Sequence, residues 1–112
     1  MIWATISMTF HVIGATNLDA LTDEVFEALL ALEGADTRLR DSDMDAVLVD
    51  EIVTVRVAAQ GPTLDDAFDL GGSAIRSAIH STGGATPGWK NPEPSTAPSS
   101  NFELRGQQLI PA

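Results

Sequence analysis

Three carboxylates at every second position form the clearest candidate for chemistry in the sequence. Asp41, Asp43 and Asp45 have the spacing of the first oxygen ligands of a helix–loop–helix calcium site. The remainder of such a site is missing, because Ala46 occupies the position that requires glycine and no glutamate occupies the last ligand position. On a strand, the three carboxylates would share a solvent-facing side, with Met44 and Ala46 facing inward. We expect a solvated acidic edge here and, at most, a weak divalent-cation site.

The two histidines are the next candidates, because an imidazole can act as a general base near neutral pH. His11 falls at the end of the first predicted strand, and His80 falls in the last turn of a predicted helix, where the dipole favours a protonated ring. A nucleophilic serine would have a Gly-x-Ser-x-Gly context, which the segment around Ser73 lacks. We interpret both histidines as structural or surface residues and predict no catalytic residue.

A glycine-rich segment before Lys90 bears a superficial likeness to a phosphate-binding loop. In such a loop a lysine directly follows the last glycine, with a strand before the loop and a helix after it. Here Trp89 separates Gly88 from Lys90, and a helix is predicted before the segment. The chain also has no cysteine, which excludes disulfides, thiolate metal sites and iron–sulfur clusters. No cofactor is predicted.

Length and charge narrow the functional classes further. The 112 residues, of which 44% are apolar, suffice for one core, and we expect a single domain over residues 1–112. A net charge of −10 repels phosphate backbones and anionic membrane surfaces, which argues against direct nucleic-acid binding. No apolar run is long enough for a membrane span, and no basic segment precedes the apolar N-terminal stretch. We therefore expect a cytoplasmic protein without a membrane partner.

The elements that must position these residues begin with a strand over residues 2–12. Apolar and polar residues alternate there, which places one face in a core and leaves the other polar. A turn follows, and a helix start is indicated by Thr16 with Asp19 three residues later. Leucines and valine at steps of three and four form one apolar stripe of this helix, which Gly34 should end in a left-handed conformation.

The second half of the chain repeats this order. Alternation over residues 52–60 predicts another strand, whose partner should come from residues 38–48 through a turn near residues 49–51. Thr63 starts a second helix, which runs to about residue 82 and contains the pair Gly71 and Gly72. Glycine within a helix costs about 1 kcal/mol relative to alanine. The pair therefore predicts close packing against a neighbouring element.

The last part of the chain is rich in proline, glycine and serine. Residues 84–101 cannot build a core and are predicted to form a loop. Alternation returns over residues 102–110, which predicts a final strand with a bulge at Gly106.

The resulting order is strand, helix, strand, strand, helix, strand. It resembles the ferredoxin-like βαββαβ sandwich of the α+β class, a four-stranded antiparallel sheet with two helices on one face. The alternation within the strands agrees, since only one face of such a sheet is covered by helices. This fold supports many unrelated functions, so the resemblance implies none of them.

The helix-free side of the sheet, which we call the open face, is the candidate ligand or interface surface. The first and third strands are neighbours at the centre of such a sheet, so their polar sides meet there. The residues that we place on or against the open face are Trp3, Thr5, Ser7, His11, Ile52, Thr54, Arg56 and Trp89. Trp89 comes from the proline-rich loop, and its ring could plug the face. The open face must meet water, a second copy of the chain, the loop or a ligand.

We therefore expect a small acidic, non-enzymatic binding or assembly module that is homodimeric through the open face, with another protein or a small ligand as a further possible partner. One alternative is a cofactor-free enzyme of the dimeric α+β type, with His11 or His80 as base and Arg56 holding an anionic substrate in a pocket between sheet and helices. The other is an inhibitor that mimics DNA through the acidic residues 36–51.

Overall fold

The computed structural model describes residues 1–85 and 100–111 of the chain. The helices and strands of these residues follow the predicted order, with one short strand added, and a 3-10 turn joins the second strand to the third. The elements are β1 (Ile2–Ile13), α1 (Leu18–Ala35), β2 (Leu39–Val47), β3 (Ile52–Gly61), α2 (Leu64–Ser81), β4 (Gly84–Ala85) and β5 (Ser100–Pro111).

The sheet confirms the predicted ferredoxin-like architecture. Its four long strands have the order β2-β3-β1-β5, and every neighbouring pair is antiparallel. Both helices pack on one side of it, because the buried residues of β1 and β3 form one core with those of α1 and α2. The two central strands are β1 and β3, which places the open face where the sequence predicted it.

Alternation in β1 determines which side of the sheet is buried. The side chains at every second position are at most 1% exposed, and they are Ala4, Ile6, Met8, Phe10 and Val12. Complete burial of one of the larger apolar side chains contributes about 1.5–3 kcal/mol relative to exposure. The intervening polar residues are only half-buried, since no helix of the described chain covers them.

The two helix starts differ in how well the sequence predicted them. Thr63 caps α2 as expected, its hydroxyl accepting a hydrogen bond from the backbone N–H of Asp66 at 3.2 Å. The start of α1 was predicted one residue too early, because the capping side chain is Asn17, which accepts the N–H of Ala20. Both caps satisfy a backbone donor that the helix itself leaves unpaired.

The predicted end of α1 at Gly34 is wrong. That glycine does not have a positive φ, and the helix continues to Ala35, with the N–H of Asp36 bonded to the carbonyl of Leu32. The Arg38 side chain then holds Asp36 in place, with Nη2 donating to Oδ2 at 2.8 Å. The same hydrogen bonds lower the pKa of Asp36 below its usual value. This contact directs the chain into β2.

Of the glycine pair in α2, Gly71 has the predicted role of allowing close packing. A Cβ atom added at Gly71 would lie 2.6 Å from Cδ1 of Ile6 and 2.9 Å from its Cγ1. Helix and sheet therefore approach each other at this point more closely than any larger residue permits.

The predicted loop over residues 84–101 is too long at both ends. Gly84 and Ala85 form a short strand parallel to β5, and β5 itself already begins at Ser100. This pairing satisfies backbone N–H and C=O groups, and the composition of the segment gives no sign of it. The rest of that prediction, including Trp89, lies outside the described residues. Within them, neither helix is long and apolar enough to cross a membrane.

Candidate functional site

The open face brings together the strand residues that the sequence selected. Across the β1–β3 pair, Ser7 lies opposite Arg56, and His11 lies opposite Ile52. Trp3 and Thr5 continue the row on β1, and all of these side chains are half-buried. The predicted juxtaposition is therefore observed for every selected residue except Trp89, which lies outside the described residues.

The centre of the open face is a hydroxyl pair. Oγ1 of Thr9 and Oγ1 of Thr54 lie 3.1 Å apart and share a hydrogen bond across the two central strands. Each is in direct register with the other. The pair leaves a flat polar centre, with the larger side chains arranged around it.

A bulge in β2 decides which of its residues reach the open face. Arg40 is in register with Ala58, but Asp43 is in register with Arg56, so the residues between occupy one place more on β2 than on β3. Asp41 begins this bulge with a φ of 56°. Because side chains alternate between faces, one extra residue exchanges the two sides of the strand. Even-numbered Arg40 and odd-numbered Asp43 therefore share the open face.

The bulge corrects the prediction that the three aspartates lie in one row. Alternation is interrupted after Asp41, so only Asp43 and Asp45 follow each other on the open face. Among the described residues, no three His, Asp or Glu side chains are grouped so that they could hold a metal ion. Ala46, which was predicted to face inward, is exposed, because the last residues of this edge strand are uncovered on both sides. Met44 is half-buried against the core, as expected.

A carboxylate from α1 holds the bulge. Oε1 of Glu33 accepts hydrogen bonds from the backbone N–H of Ser42 at 2.9 Å and from its hydroxyl at 3.0 Å. The N–H of a bulged residue lacks a partner in the strand ladder, and here the helix supplies one. Glu33 thus fixes the register that places two aspartates beside Arg56.

We expect Glu33→Ala to lower the unfolding free energy by about 1–2 kcal/mol, because Ser42 loses a charged acceptor. Glu33→Gln should lose much less, since its amide oxygen can still accept. Hydrogen exchange of the Ser42 amide measures the effect directly and should accelerate only in the alanine variant. Glu27→Ala, on the exposed side of the same helix, is the control. Unchanged exchange at Ser42 would contradict the role of Glu33.

A second bulge lies in β5. Thr9 is in register with Gly106 and Phe10 with Leu104, so Arg105 is the extra residue. This confirms the predicted bulge to within one residue. It exchanges the two sides of β5 just as the first bulge does in β2. As a result, even-numbered Phe102 packs against the core before the bulge, and odd-numbered Leu109 does so after it.

Every arginine of the open face lies against a carboxylate. Nη1 of Arg56 is 2.8 Å from Oδ2 of Asp45 and 3.3 Å from Oδ2 of Asp43. Arg105 donates to Glu103 at 3.0 Å, beside His11. Nη2 of Arg105 lies 3.4 Å from Nδ1 of His11 and can donate to it only while that nitrogen is unprotonated.

A cation–π contact joins β2 to β1 across the open face. The guanidinium of Arg40 lies over the Trp3 ring, with Cζ 3.8 Å from the ring centroid. Arg40 starts from β2 and Trp3 from β1, so the side chain crosses β3 above Ala58, which is only 6% exposed. Such a contact is worth about 0.5–1 kcal/mol at an exposed site.

The ion pairs give the open face a different charge from the rest of the protein. The chain carries −10, yet on this face Arg40, Arg56 and Arg105 offset nearly all of the neighbouring carboxylates. The excess negative charge therefore belongs to the helical side and the turns. The same pairs offset part of the charge of residues 36–51, on which the DNA-mimic alternative depends.

The space between sheet and helices is filled by apolar side chains that are at most 1% exposed, namely Ile6, Met8, Phe10, Val53 and Val55. His11 and Arg56 lie on the opposite side of the sheet. A groove of about 370 Å³ opens at the edge of the helical layer, but none of the proposed enzyme residues lines it. In the described part of the chain, buried apolar side chains thus occupy the space where the enzyme alternative places its pocket.

Arg40, Glu103 and Arg105 are the site residues that sequence reasoning missed. A one-residue shift in β2 hides Arg40, since alternation from the inward-facing Met44 assigns Arg40 to the core side. Alternation from Phe102 and Leu104 was the available signal for Glu103 and Arg105, because it places both on the side away from the core. No model of a known protein family matches this chain, and neither a curated protein nor a solved structure is significantly similar to it.

Proposed function

We propose that the protein is a small, non-enzymatic assembly or binding module that forms a homodimer by packing the open faces of two copies together. The observation that carries this proposal is the charge distribution. A chain of −10 repels its own copies over most of its surface, whereas the open face is nearly balanced. Association through that face avoids the repulsion.

The size and composition of the open face support the same proposal. The four long strands have 9 to 12 residues. At about 3.3 Å per residue and a spacing of about 4.8 Å between strands, they give a face of roughly 700 Å² per copy. Stable dimers bury about 800 Å² per partner, so the face lies near the lower end of the range. Trp3, Ile52 and Ile110 add apolar surface, with Ile110 51% exposed.

Analytical ultracentrifugation of the full chain tests the proposal. We expect a concentration-dependent dimer at micromolar concentration, and Ser7→Glu should weaken it by at least 100-fold, because one added carboxylate on each copy must lose its hydration when the two open faces pack. Within one copy the new glutamate is tolerated, since Ser7 lies between Arg56 and Gln108. Ser73→Glu, the same change on an exposed position of α2, should leave the dimer intact.

A wild-type protein that stays monomeric at several hundred micromolar would overturn the proposal. The cause can then be separated with Trp89→Ala. A variant that newly dimerises would mean that the segment containing Trp89 covers the open face in the single chain. A variant that remains monomeric would leave the face to another partner. Equal weakening by Ser7→Glu and Ser73→Glu would show that the dimer uses a different surface.

A further inference from the structure

We infer that the two copies are related by a two-fold axis that runs parallel to the strands between β1 and β3, and that Asp45 of each copy forms an ion pair with Arg105 of the other. This inference rests on the proposed function and specifies its geometry. It names the second copy as the occupant of the open face and two residues as determinants of how it docks.

The strand order supplies the first step. In the order β2-β3-β1-β5, an axis between the inner strands lays β3 of one copy over β1 of the other. The same operation lays β2 over β5. The strands of both copies remain aligned, as in most packed sheets, where the strand directions differ by about 30°.

The register supplies the second step. Asp45 is level with Thr54, Thr54 with Thr9, and Thr9 with Gly106, the neighbour of Arg105. Asp45 and Arg105 therefore lie at the same height on the two outer strands. The proposed axis places each of them above the other residue in the second copy.

Both side chains have capacity for another contact. The Asp45 side chain is 67% exposed, and within its own chain its Oδ2 bonds to Arg56. The Arg105 side chain is 57% exposed, and Nη2 alone makes both of its contacts to Glu103 and His11. A guanidinium has five N–H groups, so the remaining ones can donate to a second carboxylate.

A two-fold axis across the strands at the height of Ser7 is the competing arrangement. It would place Arg56 over Arg56 of the second copy, because Arg56 is in register with Ser7 and so lies at the height of the axis. Like charges opposed in this way disfavour an interface. The same axis would pair Asp45 with Arg40 of the second copy, whose guanidinium already lies over Trp3. The charges on the face thus favour the axis along the strands.

Charge exchange between copies tests the inference. We expect Asp45→Arg and Arg105→Asp each to weaken self-association by at least 100-fold, since each homodimer then opposes two pairs of like charges. An equimolar mixture should restore a heterodimer to within about tenfold of the wild-type affinity, because both cross-copy pairs are attractive again. Sedimentation velocity and native mass spectrometry identify the mixed species, and thermal unfolding verifies that each variant is folded.

The outcomes separate this inference from the proposed function. If the wild type dimerises but the mixture stays monomeric, the arrangement is wrong and the dimer stands. A heterodimer that forms when Asp45→Arg is mixed with Arg40→Asp, but not with Arg105→Asp, indicates the axis across the strands and overturns the inference. A wild type without self-association removes both.

Discussion

Replacing Phe10 by alanine should reduce the free energy of unfolding by about 3–5 kcal/mol. Phe10 is fully buried on β1, and its ring meets that of Phe102 edge to face, with centroids 5.8 Å apart and planes at 78°. Truncation removes this contact and leaves a cavity that the surrounding strands cannot close. Since domains are stable by only about 5–15 kcal/mol, a large share of the stability is lost.

Chemical denaturation followed by tryptophan fluorescence and circular dichroism measures this loss. Phe10→Leu is the matched control, because it keeps most of the volume, and it should lose less than half as much. Phe102→Ala should also be costly, and the double variant should show a coupling of about 0.5–1.5 kcal/mol between the rings. A loss below 1 kcal/mol for Phe10→Ala would show that β5 is not anchored through this contact.

The second large effect is that glycine-to-alanine substitutions at two helix positions should change the unfolding free energy in opposite directions. Gly71→Ala should destabilise the protein by about 1–3 kcal/mol, because the new methyl group overlaps the buried side chain of Ile6. Gly34→Ala should stabilise it by about 0.5–1 kcal/mol, since nothing lies within 4 Å of its added Cβ and alanine favours helix. Helix propensity alone would predict a gain at both positions.

Denaturant midpoints of the two variants test the pair directly. Adding Ile6→Val to Gly71→Ala should recover part of the loss, because valine lacks the Cδ1 atom that lies 2.6 Å from the added methyl group. By itself, Ile6→Val should lower the unfolding free energy by about 0.5–1.5 kcal/mol in a packed core. A double variant that is more stable than Gly71→Ala therefore shows that the overlap with Ile6 has been relieved. Equal midpoints for Gly71→Ala and the wild type would mean that α2 can move away from the sheet.

Elements with a strong period were predictable from the sequence. The alternation of β1 and β3 and the stripe of α2 identify their buried sides without reference to the rest of the chain, because the period of a strand or helix is a local property. The order of the elements then leaves few topologies. The juxtaposition of the polar rows of β1 and β3 follows from that topology, and it was predicted for this reason. The pairing of Ser7 with Arg56 depends in addition on the register.

The flanking strands were not predictable to the same degree. In β2, the change of side after Arg40 depends on Glu33, which reaches the strand from helix α1. No local sequence signal marks this contact. In β5, alternation by itself cannot say whether Arg105 or a neighbour is the extra residue. The cation–π contact of Arg40 with Trp3 spans three strands and requires the bulge first. The contacts of Glu33 with Ser42 and of Arg40 with Trp3 are therefore tertiary in origin.

The inserted residue at Asp41–Ser42 has a consequence for how related sequences should be compared. In a relative that lacks one residue there, the start of this strand would show the same order of inward and outward residues as the present chain. Beyond the missing residue, an outward-facing residue would occupy the sequence position at which the present chain has an inward-facing one. Counting columns would then align Asp43 with an apolar residue, and the two proteins would look unrelated along this strand. Alignments of such chains should allow a gap at that position and score the two segments separately.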